Sequence, residues 1–340
     1  MPLDRYIRQT AIPEVGIDGQ AKIAQASVLI VGAGGLGVPA ITYLTGAGVG
    51  RLCIVDDDLI ATHNLHRQVL YSEEDAGQYK ALVAAKKMRA LNSEIIIHAI
   101  SERVVSSNIN QLINDYDIIL DAADNFTTTY LLSDLCKKNN QPLISASAAA
   151  FKGYVGVFCQ DTPSYRALFP DVSGNNLSCA QNGVLGPVVG VLGLLQAQHA
   201  INIILNSQPK PHGKLLTIDL LSNNFSSFDF SGAEEPTAVQ EFKIITQNEI
   251  QASDLIIDVR DLEESTQNPI TELPAQQLHI PLKDLPQRQH EIPNTGQRLV
   301  LCCVSGRRAS AAAELLSRHK LGNHKLSRHK HYDMAILPLN

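Results

Sequence analysis

The apolar run Val28–Val31 leads straight into Gly32-Ala33-Gly34-Gly35-Leu36-Gly37, and nineteen residues beyond Gly37 a second apolar run, Ile54-Val55, ends in Asp56. Glycines let the chain turn tightly and bring backbone N–H groups against a phosphate. The helix start that follows leaves amides free for an anion, and an acid at a strand end accepts hydrogen bonds from ribose hydroxyls. Gly32, Gly34, Gly35, Gly37 and Asp56 are therefore candidate nucleotide-binding residues, and the first task read from this chain is to hold an adenosine. Glycine loops occur in many folds; the position of this one between a strand and a helix gives it meaning.

The polar residues that follow point away from hydride transfer. Asn64-Leu65-His66-Arg67-Gln68 and Lys80 supply an arginine and a lysine near a short nucleotide. A dinucleotide dehydrogenase has no need of both. Splitting ATP between its α and β phosphates puts developing charge on pyrophosphate, which cations stabilise. No Lys-Ser/Thr follows the glycines, so the loop is not of the Walker type, and Arg67 and Lys80 are the candidate cations. Asp121 and Asp124 flank Ala122-Ala123 just past a strand end, and one of them suits Mg2+ on the phosphates.

A second chemical motif lies near the other end. Cys303-Val304-Ser305-Gly306-Arg307-Arg308 separates an apolar strand from an alanine-rich helix. A loop that wraps a cysteine with backbone amides and ends at a helix N-terminus lowers the thiol pKa. With Arg307 or Arg308 beside it, Cys303 is expected to be thiolate near neutral pH and to carry a persulfide. Cys302 belongs to the strand and is expected to face the core.

The elements that position these residues alternate. Strands are expected at 27–31, Arg51–Val55, Ile95–Ile97, Asp117–Asp121 and from Pro142, with helices at Leu36–Leu44, Gly77–Leu91 and Thr127–Lys138. That rhythm predicts a mostly parallel sheet covered by helices on both faces. Tyr154–Cys159 and Leu215–Asp219 read as exposed-edge or antiparallel strands flanking a helix near Gly186–Leu205, and Phe225, Phe228 and Phe230 mark the last strand of the unit. Ser231–Thr237 reads as a linker. Strands at Leu255–Val259 and Arg298–Cys302 and a helix from Ser310 then start a second, smaller α/β unit. The expected division is an ATP-binding adenylation domain over 1–230, a short flexible linker over 231–240 and a second domain over 241–340. Ser-Arg-His-Lys at 317–320 and again at 327–330 reads as a solvated helix face or frayed tail.

The chain has 340 residues, 44% of them hydrophobic, and a net charge of −6. That composition suits packed domains and argues against nucleic acid as the main partner. Six cysteines do not make a disulfide scaffold. Cys53, Cys136 and Cys159 sit in apolar stretches and are expected to be buried and inert. No signal-peptide core follows Met1, and no stretch spans a membrane without polar interruption, so a reducing cytoplasm and no membrane partner are expected.

Arg5-Tyr6-x-Arg8-Gln9, Gly32–Gly37, Asn64-Leu65-x-Arg67-Gln68, Lys80, Asp121-x-x-Asp124-Asn125 and Gly183-Val184-x-Gly186-Pro187 occur in one order over roughly residues 3–230. As a set they resemble the E1-like adenylating enzymes that activate sulfur-carrier proteins, the ThiF/MoeB/HesA class, in particular those serving molybdopterin and thiamine-thiazole synthesis. The resemblance implies a Rossmann-like α/β adenylation fold with a mixed sheet, using ATP and Mg2+. It implies nucleotide contacts at Asp56, Asp58, Asn64, Arg67, Gln68, Lys80, Asp124 and Asn125, with Asp124 on the Mg2+. It implies catalysis by Arg67, Lys80 and Asp124, and by Arg8 reaching the ATP of the other subunit of a homodimer. The substrate implied is the C-terminal Gly-Gly carboxylate of a small ubiquitin-like carrier, which becomes an acyl-adenylate.

Cys179 matches a family cysteine that in some members bonds covalently to the carrier. Many relatives hold a structural zinc with two Cys-x-x-Cys pairs; here Ser164 and Ala167 occupy the first pair and the second is absent near 223–233, so no zinc is expected. The Cys303 loop, with Asp258-Val259-Arg260 and His279-Ile280-Pro281-Leu282, resembles a rhodanese domain, although the usual Gly-Gly near the domain end is missing. It implies sulfur transfer from a donor such as a cysteine desulfurase or thiosulfate. Two other readings compete: an adenylating enzyme for a peptide or small acid with a vestigial second domain, and a non-catalytic docking protein. Arg8, Arg67, Lys80 and Asp124 together disfavour the docking protein, because a scaffold need not keep phosphate cations.

Overall fold

The computed structural model describes residues 4–170, 183–237, 242–293, 296–318 and 333–339. Its first sheet has eight strands: β1 (Ser27–Val31), β2 (Arg51–Val55), β3 (Ile96–Ile100), β4 (Ile118–Asp121), β5 (Pro142–Ala149), β6 (Lys152–Cys159), β7 (Lys214–Asp219) and β8 (Asn224–Asp229). Their spatial order is β3-β2-β1-β4-β5-β6-β7-β8. The first five run parallel and the last three antiparallel. The sheet is mixed, as the fold class requires.

Parallel strands covered on both faces read as unbroken apolar runs. In β1 every residue is buried. Val28 and Ile30 face a core shared with the helices α1 (Gly37–Ala47), α2 (Lys80–Leu91) and α4 (Gly186–Leu205). Leu29 and Val31 face the opposite core, which holds α3 (Phe126–Asn139). Helix α4 is as long and apolar as a membrane span, yet it packs along α1, β5 and β6. Its buried Gln196 donates to the Asp121 carbonyl at 2.6 Å. The chain order reverses between β1 and β4, and at such a switch point the carboxyl ends of the strands open a crevice.

The second sheet is wholly parallel, in the order β11-β10-β12-β13-β9. Its strands are β9 (Lys243–Ile244), β10 (Leu255–Asp258), β11 (Gln276–His279), β12 (Leu299–Cys303) and β13 (Met334–Pro338), with helices α5 (Leu262–Gln267) and α6 (Arg307–Arg318). Arg260, buried, pairs with the buried Asp258 carboxylate, Nε to Oδ1 at 2.9 Å and Nη2 to Oδ2 at 2.7 Å. Ser265 donates to the same carboxylate, so the strand-end acid anchors the loop that leads into α5.

Of the two alternatives for Tyr154–Cys159 and Leu215–Asp219, the antiparallel one holds: both run antiparallel inside the sheet, and its edge is β8, whose six residues are all exposed. One expectation is corrected. The stretch expected to be a loose linker is tied down. Glu235 accepts the Ser164 N–H at 2.8 Å and the Ser164 hydroxyl at 2.6 Å, pairs with Lys137 at 3.2 Å, and Ala233 packs against the α3-side core. Ser164 also caps the short helix Tyr165–Leu168, accepting the Ala167 N–H. Most of the repeated Ser-Arg-His-Lys tail, and Cys179, lie outside the described residues.

Candidate functional site

The loop between β1 and α1 needs its glycines for identifiable reasons. Gly32 has φ +101°, and a Cβ there would lie 2.5 Å from the Ala122 carbonyl oxygen at the end of β4. A Cβ on Gly37 would lie 1.9 Å from the Gly32 carbonyl oxygen. Any side chain at either position opens the turn. The loop is held from two sides: Ala33 N–H donates to the Asp56 carboxylate at 2.7 Å, and the buried Tyr71 hydroxyl donates to the Ala33 carbonyl at 2.9 Å. Gly34 and Gly35 face a cavity of about 620 Å3.

Asp56 stands at the tip of β2 and lines that cavity. Its carboxylate accepts the N–H groups of Ala33 and Asp58 at 2.7 and 2.9 Å. Burial pushes its pKa up to about 6, against the pull of Lys80 and these two amides. The Lys80 side chain is buried, and its ammonium meets the half-exposed Asp58 carboxylate at 2.6 Å. Arg67 Nη2 donates to Asn64 Oδ1 at 3.0 Å, and Arg67 packs its stem close to Gly35. The Gln68 side chain is buried beside Gly34, its Oε1 without a partner among the described residues.

The structure separates the two acids after β4. Asp121 is buried and accepts the hydroxyls of Thr129 and Ser145, each at 2.7 Å. Burial raises its pKa to about 6. Both hydroxyls reach Oδ2, Oδ1 accepts the Ala123 N–H at 3.2 Å, and the buried acid braces α3 and β5. Asp124 is exposed in the cavity and carries no hydrogen bond or ion pair among the described residues. A divalent cation takes unsatisfied carboxylate oxygens, so Asp124 fits Mg2+ and Asp121 does not. Asn125 caps α3, its Oδ1 accepting the Thr128 N–H at 2.9 Å.

The cavity thus brings together Gly32, Gly34, Gly35, Asp56, Asp58, Asn64, Arg67, Gln68, Lys80, Asp124 and Asn125. Arg8 is not among its lining; it is exposed on the helical turn Ile7–Thr10.

Sequence reasoning missed that Ile244, Ser305 and Pro338 of the second unit also line this cavity. Thr127, in the first turn of α3, donates its hydroxyl to the Ser305 carbonyl at 3.1 Å. Arg103 bridges Asp57, at 3.0 Å, and the Pro338 carbonyl, at 3.1 Å. No local signal marks such contacts, because the partners are far apart in sequence.

Cys303 corrects another expectation. It is the last residue of β12, fully buried in the second unit's core. The Ala309 N–H does reach its Sγ, at 3.4 Å. Burial nevertheless outweighs that amide and the nearby Arg308, so the thiol pKa is raised, not lowered. Arg308 is engaged by Glu264 in a two-pronged pair at 2.6 and 2.7 Å. Cys302 faces the opposite core, as expected, and Cys53, Cys136 and Cys159 are buried.

The family model described as ThiF family matches residues 6–238. A sulfur carrier protein adenylyltransferase of Thermus thermophilus is 43% identical over 231 residues, spanning 66% of this chain and 85% of that protein. The adenylyltransferase and sulfurtransferase MOCS3 of Bos taurus is 35% identical over 361 residues, spanning 94% of this chain and 78% of that protein, so the likeness extends through the second sheet. Among solved structures, E. coli MccB crystallised with ATP superposes with a TM-score of 0.60 at 25% identity, over 69% of this chain and 73% of that one.

Proposed function

Because this chain belongs to the ThiF family, we propose that it prepares the C-terminal Gly-Gly carboxylate of a ubiquitin-like sulfur carrier for thiocarboxylate formation, in molybdopterin or thiamine-thiazole synthesis. It is an E1-like adenylyltransferase that acts on a sulfur-carrier protein. The observation that supports the finer reading is the convergence of the glycine loop, Asp56, Arg67, Lys80 and Asp124 on one cavity.

In this reading a carboxylate oxygen of the carrier attacks the α-phosphorus of ATP. The bond to the β-phosphate oxygen breaks, giving acyl-adenylate and pyrophosphate. The glycine-loop amides and Asp56 hold phosphate and ribose. Arg67 and Lys80 stabilise the charge that builds on the leaving group. Lys80 is held in reserve by Asp58, an exposed partner it exchanges for phosphate. Asp124 would hold a Mg2+ ion, which would supply charge neutralisation at the phosphates. The proposed active form is a homodimer in which Arg8 completes the partner's site.

The second domain is read as rhodanese-like. Cys303 takes a sulfane sulfur from a persulfide donor or thiosulfate. The terminal sulfur then attacks the acyl carbon and AMP departs, leaving an acyl disulfide on Cys303. The proposed Cys179 thiolate attacks Cys303 Sγ, releasing the thiocarboxylate and forming a Cys179–Cys303 disulfide, which two equivalents of an external thiol reduce before the next turnover. Mixing the protein with ATP, Mg2+ and a carrier ending in Gly-Gly is expected to exchange radioactive pyrophosphate into ATP. No exchange with any such carrier, in a folded protein that binds ATP, refutes this substrate assignment.

A further inference from the structure

The nucleotide reading fixes a direction along the cavity. With phosphates at the Gly32–Gly37 loop and ribose at Asp56, the base extends beyond Asp56, because base and phosphates leave opposite ends of the sugar. Beyond β2 in the sheet lies β3, whose carboxyl end runs into Glu102, Arg103 and Val104, all lining the cavity.

That is where the second unit docks. Ile244 is held to Ser106 at two points: its N–H donates to Ser106 Oγ at 2.9 Å, and its carbonyl accepts the Ser106 N–H at 3.1 Å. Arg103 fastens the Pro338 carbonyl while its Nε pairs with Asp57, next to the ribose acid. Val104 and Ile244 are both buried and both border the cavity. The wall facing the base is therefore partly apolar and partly built by another domain. An apolar wall against a flat aromatic base is the usual chemistry of such a subsite.

We infer that the second domain closes the base end of the ATP pocket, with Ile244 and Pro338 as walls and Arg103 as the positioning residue that fastens them. This rests on the nucleotide reading above and assigns the second domain a role in ATP binding that is separate from sulfur transfer. Linkage makes the role reciprocal: if docking tightens ATP binding, ATP tightens docking by the same factor.

The test is amide hydrogen exchange on the full-length protein with and without α,β-methylene ATP. The analogue is expected to slow exchange at 32–37 and also, by roughly fivefold or more, at 242–246 and 303–309. Slowing confined to 32–37 overturns the inference and leaves the nucleotide reading standing. No slowing at 32–37 overturns the nucleotide reading, and the inference falls with it. A second measurement uses Ile244→Ala, a change wholly outside the first domain. Its dissociation constant for the analogue is expected to rise roughly fivefold, with Ile244→Val restoring most of the affinity. An unchanged constant in folded Ile244→Ala contradicts the inference.

Discussion

Asp56 accepts the backbone N–H of Ala33 at 2.7 Å, so the acid at the tip of β2 and the glycine loop after β1 form one rigid corner. In the proposed function that one carboxylate shapes the phosphate cradle and receives the ribose. Its pKa is raised to about 6, chiefly by burial. The anion is the form that accepts ribose hydroxyls. ATP affinity is therefore expected to be full above pH 7 and to fall as pH drops through about 6. The same raised pKa means that neutral Asp56 is favoured by folding, so the loss at low pH is a loss of binding and not of stability. Asp56→Asn is expected to bind ATP weakly and to lose affinity less steeply than wild type as pH falls through about 6, checked by titration calorimetry.

Cys303 is expected to react slowly at neutral pH and faster as pH climbs past 9, since its thiol pKa lies above the ordinary value of 9.0. Site-resolved alkylation between pH 6 and 10 measures this; a plateau below pH 8 shows instead a thiolate stabilised by the loop. Cys303→Ala is expected to retain pyrophosphate exchange and lose sulfur transfer from thiosulfate or a persulfide donor. Cys302→Ala is expected to cost stability only. If thiocarboxylate still forms in Cys303→Ala, sulfur enters by another route.

Glu235 anchors the segment between the sheets through Ser164 and Lys137. Glu235→Ala is expected to lose about 1 kcal/mol of local stability, the worth of a half-exposed charged hydrogen bond. Limited proteolysis within 231–237 should then quicken by roughly fivefold, while cleavage elsewhere is unchanged. Equal cleavage rates in the two proteins mean that the anchor contributes nothing.

Much of this was readable in advance because it is local. Periodicity and composition predicted Arg51–Val55 and Gly186–Leu205 with the bounds observed, and the strand-glycine-helix order located the cavity. What escaped was settled by packing. Nothing near Cys303 says that β12 extends through it into a core where burial overrides the amides. Nothing near Ser164 announces Glu235, 71 residues away. The choice between Asp121 and Asp124 needed Thr129 and Ser145, which come together with Asp121 only once α3 and β5 are in place.

Zinc is expected far below one per chain in protein purified without added metal, because the chain has no pair of Cys-x-x-Cys motifs to supply the four thiolates of a closed site. Elemental analysis measures this directly. Stoichiometric, tightly held zinc requires a different ligand set.

The proposed chemistry of this cavity is adenylation of a carrier, with Arg67 stabilising the departing pyrophosphate. The most direct measurement is pyrophosphate–ATP exchange, driven by a carrier ending in Gly-Gly, in wild type and Arg67→Ala at saturating ATP. Removing one such contact typically costs about 3 kcal/mol, so exchange is expected to fall on the order of a hundredfold while the variant remains folded. Undiminished exchange in Arg67→Ala contradicts the account.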